Sequence, residues 1–257
     1  MIRSVISACK LILFLLFTPP MMALQWLVLR LASRQSTWVP QLYNKLLCKL
    51  LGLQIVVEGN TNASGLIVAN HVSWKDIPVL NAVRPLSLIA KREVGSWPLF
   101  GSLARLQGTI FVNRESKRSI LPSLLVIQRR LRSGETLVLF PEATTYSGKA
   151  VKPFKSSFLA AAVRTDTPVI PVTIVYQSQH GLPLTLRQRP SIAWYGDGDL
   201  APHLWGFLIG GPVLVKLVFH EAMKPNSFAN RKELAAAAEK LVRNTLAENL
   251  HAATKMR

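Results

Sequence analysis

Cysteine is nearly absent from this chain: Cys9 and Cys48 are the only two, and they form no C-x-x-C. That excludes a disulfide framework and a metal site built from thiolates. Acidic side chains are also scarce, 13 Asp+Glu against 31 Lys+Arg, which leaves a formal charge of +18 over 257 residues. Such an excess favours anionic partners: nucleic acid, an anionic lipid surface or acidic substrates. The basic residues are scattered rather than gathered in one arm. Helix-turn-helix, zinc-finger and aromatic RNA-binding signals are missing, so nucleic acid is not expected as a partner. Also missing is an unbroken apolar run of the roughly 20 residues that a bilayer-crossing helix needs. Residues 5–31 are the most apolar stretch, but Thr18-Pro19-Pro20 divides them.

What is present points to a membrane surface. Hydrophobic residues make up 49% of the chain and the mean hydropathy is +0.26, greasy for a soluble enzyme. The proline pair predicts two short helices, residues 4–17 and 21–33, forming a hairpin anchored in one leaflet. Arg30, Arg34, Lys45 and Lys49 follow, as suits the cytoplasmic headgroup layer of a bacterial inner membrane. A kinked spanning helix over 11–29 competes with the anchor. A signal peptide is the weaker alternative, because no small-x-small cleavage site follows. Residues 1–34 are therefore assigned to the anchor and 35–257 to a single domain.

Within that domain, short apolar runs alternate with helical stripes. Residues 54–58, 66–69, 86–90, 108–112, 136–140, 169–176 and 213–220 predict strands, each bounded by turn formers or polar residues. Residues 119–131 and 156–163 predict helices. Asn230 and Glu233 suit a capping pair that opens a final helix. Residues 177–211, rich in glycine, are expected as loop, with Trp205 facing membrane or substrate. The alternation predicts an α/β fold, a mixed β-sheet layered by helices.

The run at 66–69 stops at Asn70-His71, so a histidine is delivered at a strand end. Asp76 follows at a spacing that lets its carboxylate fold back across one turn to the imidazole. That would fix the tautomer and leave the other nitrogen as a general base. No serine or cysteine nucleophile lies nearby, so the substrate would bring its own. A polar turn that merely satisfies backbone groups accounts for the same spacing. Two further strand ends carry Arg114 and Glu142.

Four blocks then occur in order: N-H-V-S-W-K-D at 70–76, G-T-I-F-V-N-R at 108–114, F-P-E-A-T at 140–144 and V-I-P-V at 169–172. Together they resemble the glycerolipid acyltransferase family, with its N-H-x-x-x-x-D, G-x-x-F-x-x-R, F-P-E-G-T-R and V-x-P-V blocks. The resemblance implies that His71, oriented by Asp76, deprotonates a lysolipid hydroxyl, which attacks the thioester of acyl carrier protein or coenzyme A. It implies no cofactor and no metal. Arg114, Glu142, Thr144 and Thr145 would bind substrate, with Lys152 and Lys155 supplying further charge. A thioester hydrolase using the same pair on water, and a basic binding module without chemistry, are the competing classes.

The third block departs from the pattern: Ala143 stands for the family's glycine and Thr145 for its arginine. A missing arginine removes a forked phosphate donor. The run through F-K-S-S at 154–157 also resembles the lyso-ornithine lipid branch, whose acceptor carries no phosphate. Lyso-ornithine lipid and lysophosphatidate are both retained as acceptors.

Overall fold

The computed structural model describes residues 2–31, 37–113, 117–196 and 198–255. In chain order come α1 (Ile2–Leu31), α2 (Trp38–Leu51), β1 (Leu53–Gly59), β2 (Leu66–Ala69), α3 (Asp76–Val83) and β3 (Ser87–Lys91). A 3-10 turn (Arg92–Ser96) leads to α4 (Phe100–Leu106), β4 (Ile110–Val112), α5 (Lys117–Arg132), β5 (Leu137–Leu139), α6 (Leu159–Thr165) and β6 (Val169–Gln179). Then follow β7 (Leu182–Pro183), α7 (Arg189–Ile192), α8 (Leu200–Gly210), β8 (Val213–Phe219) and α9 (Arg231–Lys255).

The strands form one eight-stranded sheet in the order β1-β8-β6-β2-β5-β3-β4, with β7 paired to β6. β2 runs parallel to both β5 and β6, whereas β6 is antiparallel to β8 and β7, so the sheet is mixed as expected. A parallel strand covered on both faces must be apolar throughout, and all four residues of β2 are buried. Leu66 and Val68 join a core under α5, α6 and α9. Ile67 and Ala69 join the opposite core, under α2, α3 and α8. The period of two thus sends alternate side chains into two layers of helix. β2, β5 and β4 end on the same edge, where the loops at 70–75, 140–158 and after Val112 begin.

Two expectations are corrected here. The chain does not break at Pro19-Pro20: α1 is one helix of 30 residues containing both prolines. Each proline removes one N–H and crowds the preceding turn, but packing offsets the loss. Thr18 Oγ1 lies 3.2 Å from the Tyr43 hydroxyl, and Gln25 Nε2 donates to the Leu106 carbonyl at 3.0 Å. The hairpin partner of α1 is therefore α2, not a second half of the same stretch. Unbroken, α1 is long and apolar enough to cross a membrane. Arg34 and the boundary at 34 lie outside the described residues. The second correction concerns 177–211, where the glycines do not prevent α8 from forming.

The burial pattern of α1 is inverted. Its buried residues are Ser7, Thr18 and Gln25, while Ile12, Leu13, Leu16, Leu27 and Leu31 are exposed. Spacings of eleven and seven place the three polar residues on one helical face. The apolar surface of this helix looks away from the protein.

Candidate active site

The loop after β2 puts His71 and Asp76 in contact: Nδ1 of the imidazole lies 2.8 Å from Asp76 Oδ2. Asp76 opens α3, and its side chain turns back over the loop that precedes it. Oδ2 also accepts the N–H groups of Val72 (2.7 Å) and Ser73 (2.9 Å), and Oδ1 accepts the Tyr176 hydroxyl at 2.8 Å. Asp76 is 0% exposed. A buried carboxylate is tolerable only when its acceptor sites are filled, and here donors come from three directions. Tyr176 is also fully buried, and burial, then the Asp76 charge, pushes its hydroxyl well above the ordinary range. It stays a donor. With Nδ1 committed to Asp76, Nε2 is the nitrogen left to exchange a proton.

The imidazole stacks on Phe140, ring centroids 3.9 Å apart and planes 12° from parallel. Phe140 follows β5, the parallel neighbour of β2, which is why two residues far apart in sequence form one stack. Glu142, two residues on, was expected to bind substrate. The structure turns its Oε1 to the His71 N–H (2.7 Å) and its Oε2 to the Lys152 N–H (2.8 Å). Glu142 therefore braces two backbones. Burial pushes its carboxyl up to about 7, against the opposing pull of those N–H groups. A further bond, Tyr146 N–H to the His71 carbonyl at 2.8 Å, closes the brace.

The rest of the substrate-binding set is distributed unevenly. Thr144 and Lys155 are exposed, and Thr145 and Lys152 are partly buried, on the loop that leaves Glu142. Lys152 Nζ stands 4.7 Å from the Tyr146 ring centroid. Ala143 takes φ +63°, a left-handed conformation that glycine adopts without cost. Arg114 lies outside the described residues.

Sequence reasoning passed over Lys75, Trp74 and Tyr176. Lys75 sits inside the His–Asp spacer yet is 0% exposed. Its ammonium donates to Ser73 Oγ (2.9 Å) and the Ile192 carbonyl (2.7 Å) and lies 4.2 Å from the Phe207 ring centroid. Burial draws its pKa down to about 7, partly offset by the charge of Asp76. Trp74 Nε1 donates to His203 Nδ1 at 3.2 Å, and Trp194 N–H donates to the Val72 carbonyl at 3.0 Å. The 70–76 loop is thus tied three times to the segment holding α7 and α8. Burial, then the neighbouring Lys75 charge, lowers His203 to about 4, so it stays neutral and accepts.

An apolar cavity opens beside this loop. Trp74 and Ile77 form one wall, Leu11 and Phe14 of α1 a second, and Leu204 and Leu208 of α8 a third. A histidine–carboxylate pair next to an apolar cavity and an open polar loop can take a proton from a hydroxyl, with an acyl chain held alongside.

Comparison with known proteins agrees with this arrangement. A family model described as Acyltransferase matches residues 54–175. The lyso-ornithine lipid O-acyltransferase of Rhizobium meliloti is 41% identical over 239 residues, covering 90% of this chain and 82% of the relative. The 1-acyl-sn-glycerol-3-phosphate acyltransferase of Neisseria gonorrhoeae is 32% identical over 200 residues, covering 77% and 76%. The crystal structure of the 1-acyl-sn-glycerophosphate acyltransferase of Thermotoga maritima superposes with a TM-score of 0.69 at 24% identity, covering 96% of this chain and 94% of that one. That last likeness is one of fold.

Proposed function

Because the chain belongs to the acyltransferase family and is itself an acyltransferase, we propose that it moves a fatty acyl group from a thioester to the hydroxyl of a lysolipid, with His71 as general base. The observation that carries this reading is the His71–Asp76 contact, with Asp76 filled by donors on every side. In the proposed step Nε2 of His71 takes the acceptor's hydroxyl proton as the oxygen attacks the thioester carbonyl. Asp76 stabilises the imidazolium that forms. The tetrahedral intermediate collapses, the carbon–sulfur bond breaks, and the leaving thiolate takes the proton back from Nε2. The step needs neither a metal nor a covalent enzyme intermediate. The acyl chain lies in the apolar cavity between α1, α3 and α8, and acyl carrier protein or coenzyme A carries the thioester.

For the acceptor, lyso-ornithine lipid is preferred. The R. meliloti relative carries that name, and Thr145 offers no forked cation for a phosphate. Lysophosphatidate is the second reading, supported by the Neisseria relative. In this proposal Arg114, Thr144, Thr145, Lys152 and Lys155 bind the acceptor, and Glu142 acts through the backbones it holds. The inverted burial of α1 supports a membrane anchor. α1 is fastened to the domain at Thr18 and Gln25, so it lies along the domain with its apolar face in one leaflet, on the cytoplasmic side.

The test is to incubate the purified full chain in vesicles with labelled acyl-ACP or acyl-CoA and a panel of lysolipids. Labelled diacyl product, formed fastest with lyso-ornithine lipid, is the expected result. Thiol release that ignores the presence of lysolipid would instead indicate hydrolysis.

A further inference from the structure

Two tyrosines lie on segments tied to the backbone of the His71 loop. The Tyr146 N–H donates to the His71 carbonyl, and Trp194, the neighbour of Tyr195, donates its N–H to the Val72 carbonyl. Their ring centroids are 6.3 Å apart with planes tilted by 59°. Tyr195 is 41% exposed, so part of its side chain is open to a ligand beside the segment that carries His71. The Tyr146 ring already holds a primary ammonium, that of Lys152. Lys152 Nζ has no carboxylate within ion-pair distance among the described residues, although the Lys152 backbone is fixed by Glu142. This cluster therefore offers an aromatic ring for a cation and, beside it, a half-buried cation for an anion.

A phosphate dianion fits this pair poorly. Lys152 attracts it, but the negative faces of two aromatic rings repel it. An amino-acid headgroup, with one ammonium and one carboxylate, matches both features. We propose that Tyr146, Tyr195 and Lys152 form the subsite for the zwitterionic headgroup of an aminolipid acceptor, the ammonium lying against Tyr195 and the carboxylate meeting Lys152. The inference rests on lyso-ornithine lipid as acceptor and adds what recognises it. The subsite also explains how an acceptor is held where Thr145 replaces a phosphate-binding arginine.

The experiment is steady-state kinetics of the full chain with one acyl donor and three acceptors: lyso-ornithine lipid, its δ-N-acetyl derivative and lysophosphatidate. Tyr195→Leu and Tyr195→Phe are compared with the parent, and melting curves confirm that each folds. Tyr195→Leu should raise KM for lyso-ornithine lipid roughly 3- to 30-fold with kcat little changed, while Tyr195→Phe, which keeps the ring, stays within about twofold. The acetylated acceptor should be as poor for the parent as lyso-ornithine lipid is for Tyr195→Leu, and the substitution should not weaken it further. A silent Tyr195→Leu, or an acetylated acceptor used as well as the parent one, overturns the subsite and leaves the acceptor assignment standing. Turnover of lysophosphatidate with none of lyso-ornithine lipid overturns both.

Discussion

Asp76, at the start of α3, and Thr145, on the loop after β5, lie at one edge of the sheet and are held in opposite ways. Asp76 is fully buried and accepts from His71, Val72, Ser73 and Tyr176. Thr145 is partly exposed, and its side chain has no hydrogen-bond partner among the described residues. One region is over-determined and the other is left open. Geometry that must survive every turnover is fixed by several donors at once, because a misplacement of about 1 Å near the reacting atoms can cost about 10²-fold. Groups proposed only to meet the acceptor can remain loose until it arrives. Substitutions in the two regions should therefore differ in kind: rate in one, preference in the other.

The largest effect belongs to His71→Ala. In the proposed mechanism it removes the base, so kcat should fall by about 10²–10⁴. Circular dichroism and vesicle sedimentation should match the parent. Near-normal turnover by a folded variant would end the general-base proposal. Next comes Tyr176→Phe, which leaves Asp76 Oδ1 without its donor. A hydrogen bond to a charged group is worth about 1.5–3 kcal/mol, and the freed carboxylate oxygen lets the His71–Asp76 pair drift. An approximately tenfold loss in kcat is expected, with KM for the acceptor unchanged and a lower melting temperature. A matching rise in KM would place Tyr176 in acceptor binding rather than behind the pair.

On the open loop the effects are smaller. Thr145→Arg supplies a forked cation, and the ratio of kcat/KM for lysophosphatidate over lyso-ornithine lipid should rise by roughly 5- to 10-fold. A parent enzyme that already prefers lysophosphatidate would show that the lysines bind its phosphate. The smallest effect is expected at Ala143, whose φ of +63° strains a residue with a Cβ. Ala143→Gly should raise stability by about 0.5–1 kcal/mol, net of the added freedom of the unfolded chain. Denaturant titration measures this directly, and kcat/KM should not change.

Local features were legible in the sequence, and distant ones were not. The run at 66–69 reads as a buried strand and is β2 to the residue. The spacing from His71 to Asp76 reads as a fold-back, and the contact is 2.8 Å. Asn230 caps α9 through the N–H groups of Lys232 and Glu233 as its position suggests. Tyr176 carries no local signal, because its partner Asp76 is 100 residues earlier. Lys75 looked like spacer because what permits its burial is the Ile192 carbonyl, 117 residues on. The prolines of α1 misled for a related reason. A breaker acts on one or two backbone bonds, and the contacts to α2 and α4 that outweigh it come from elsewhere in the chain.

The stack of Phe140 on His71 has a stereochemical consequence. One face of the imidazole is shut by a phenyl ring, and its Nδ1 edge is shut by Asp76. Nε2 and the opposite face are left uncovered by these two contacts. In the proposed mechanism, attacking oxygen and departing sulfur must both come within reach of that one nitrogen from the same half-space. With the acyl chain also seated in the cavity beside Trp74, as proposed, the thioester carbonyl would present only one of its two prochiral faces. The tetrahedral carbon formed in each turnover would have a single handedness, although neither the substrate nor the finished ester keeps any trace of it.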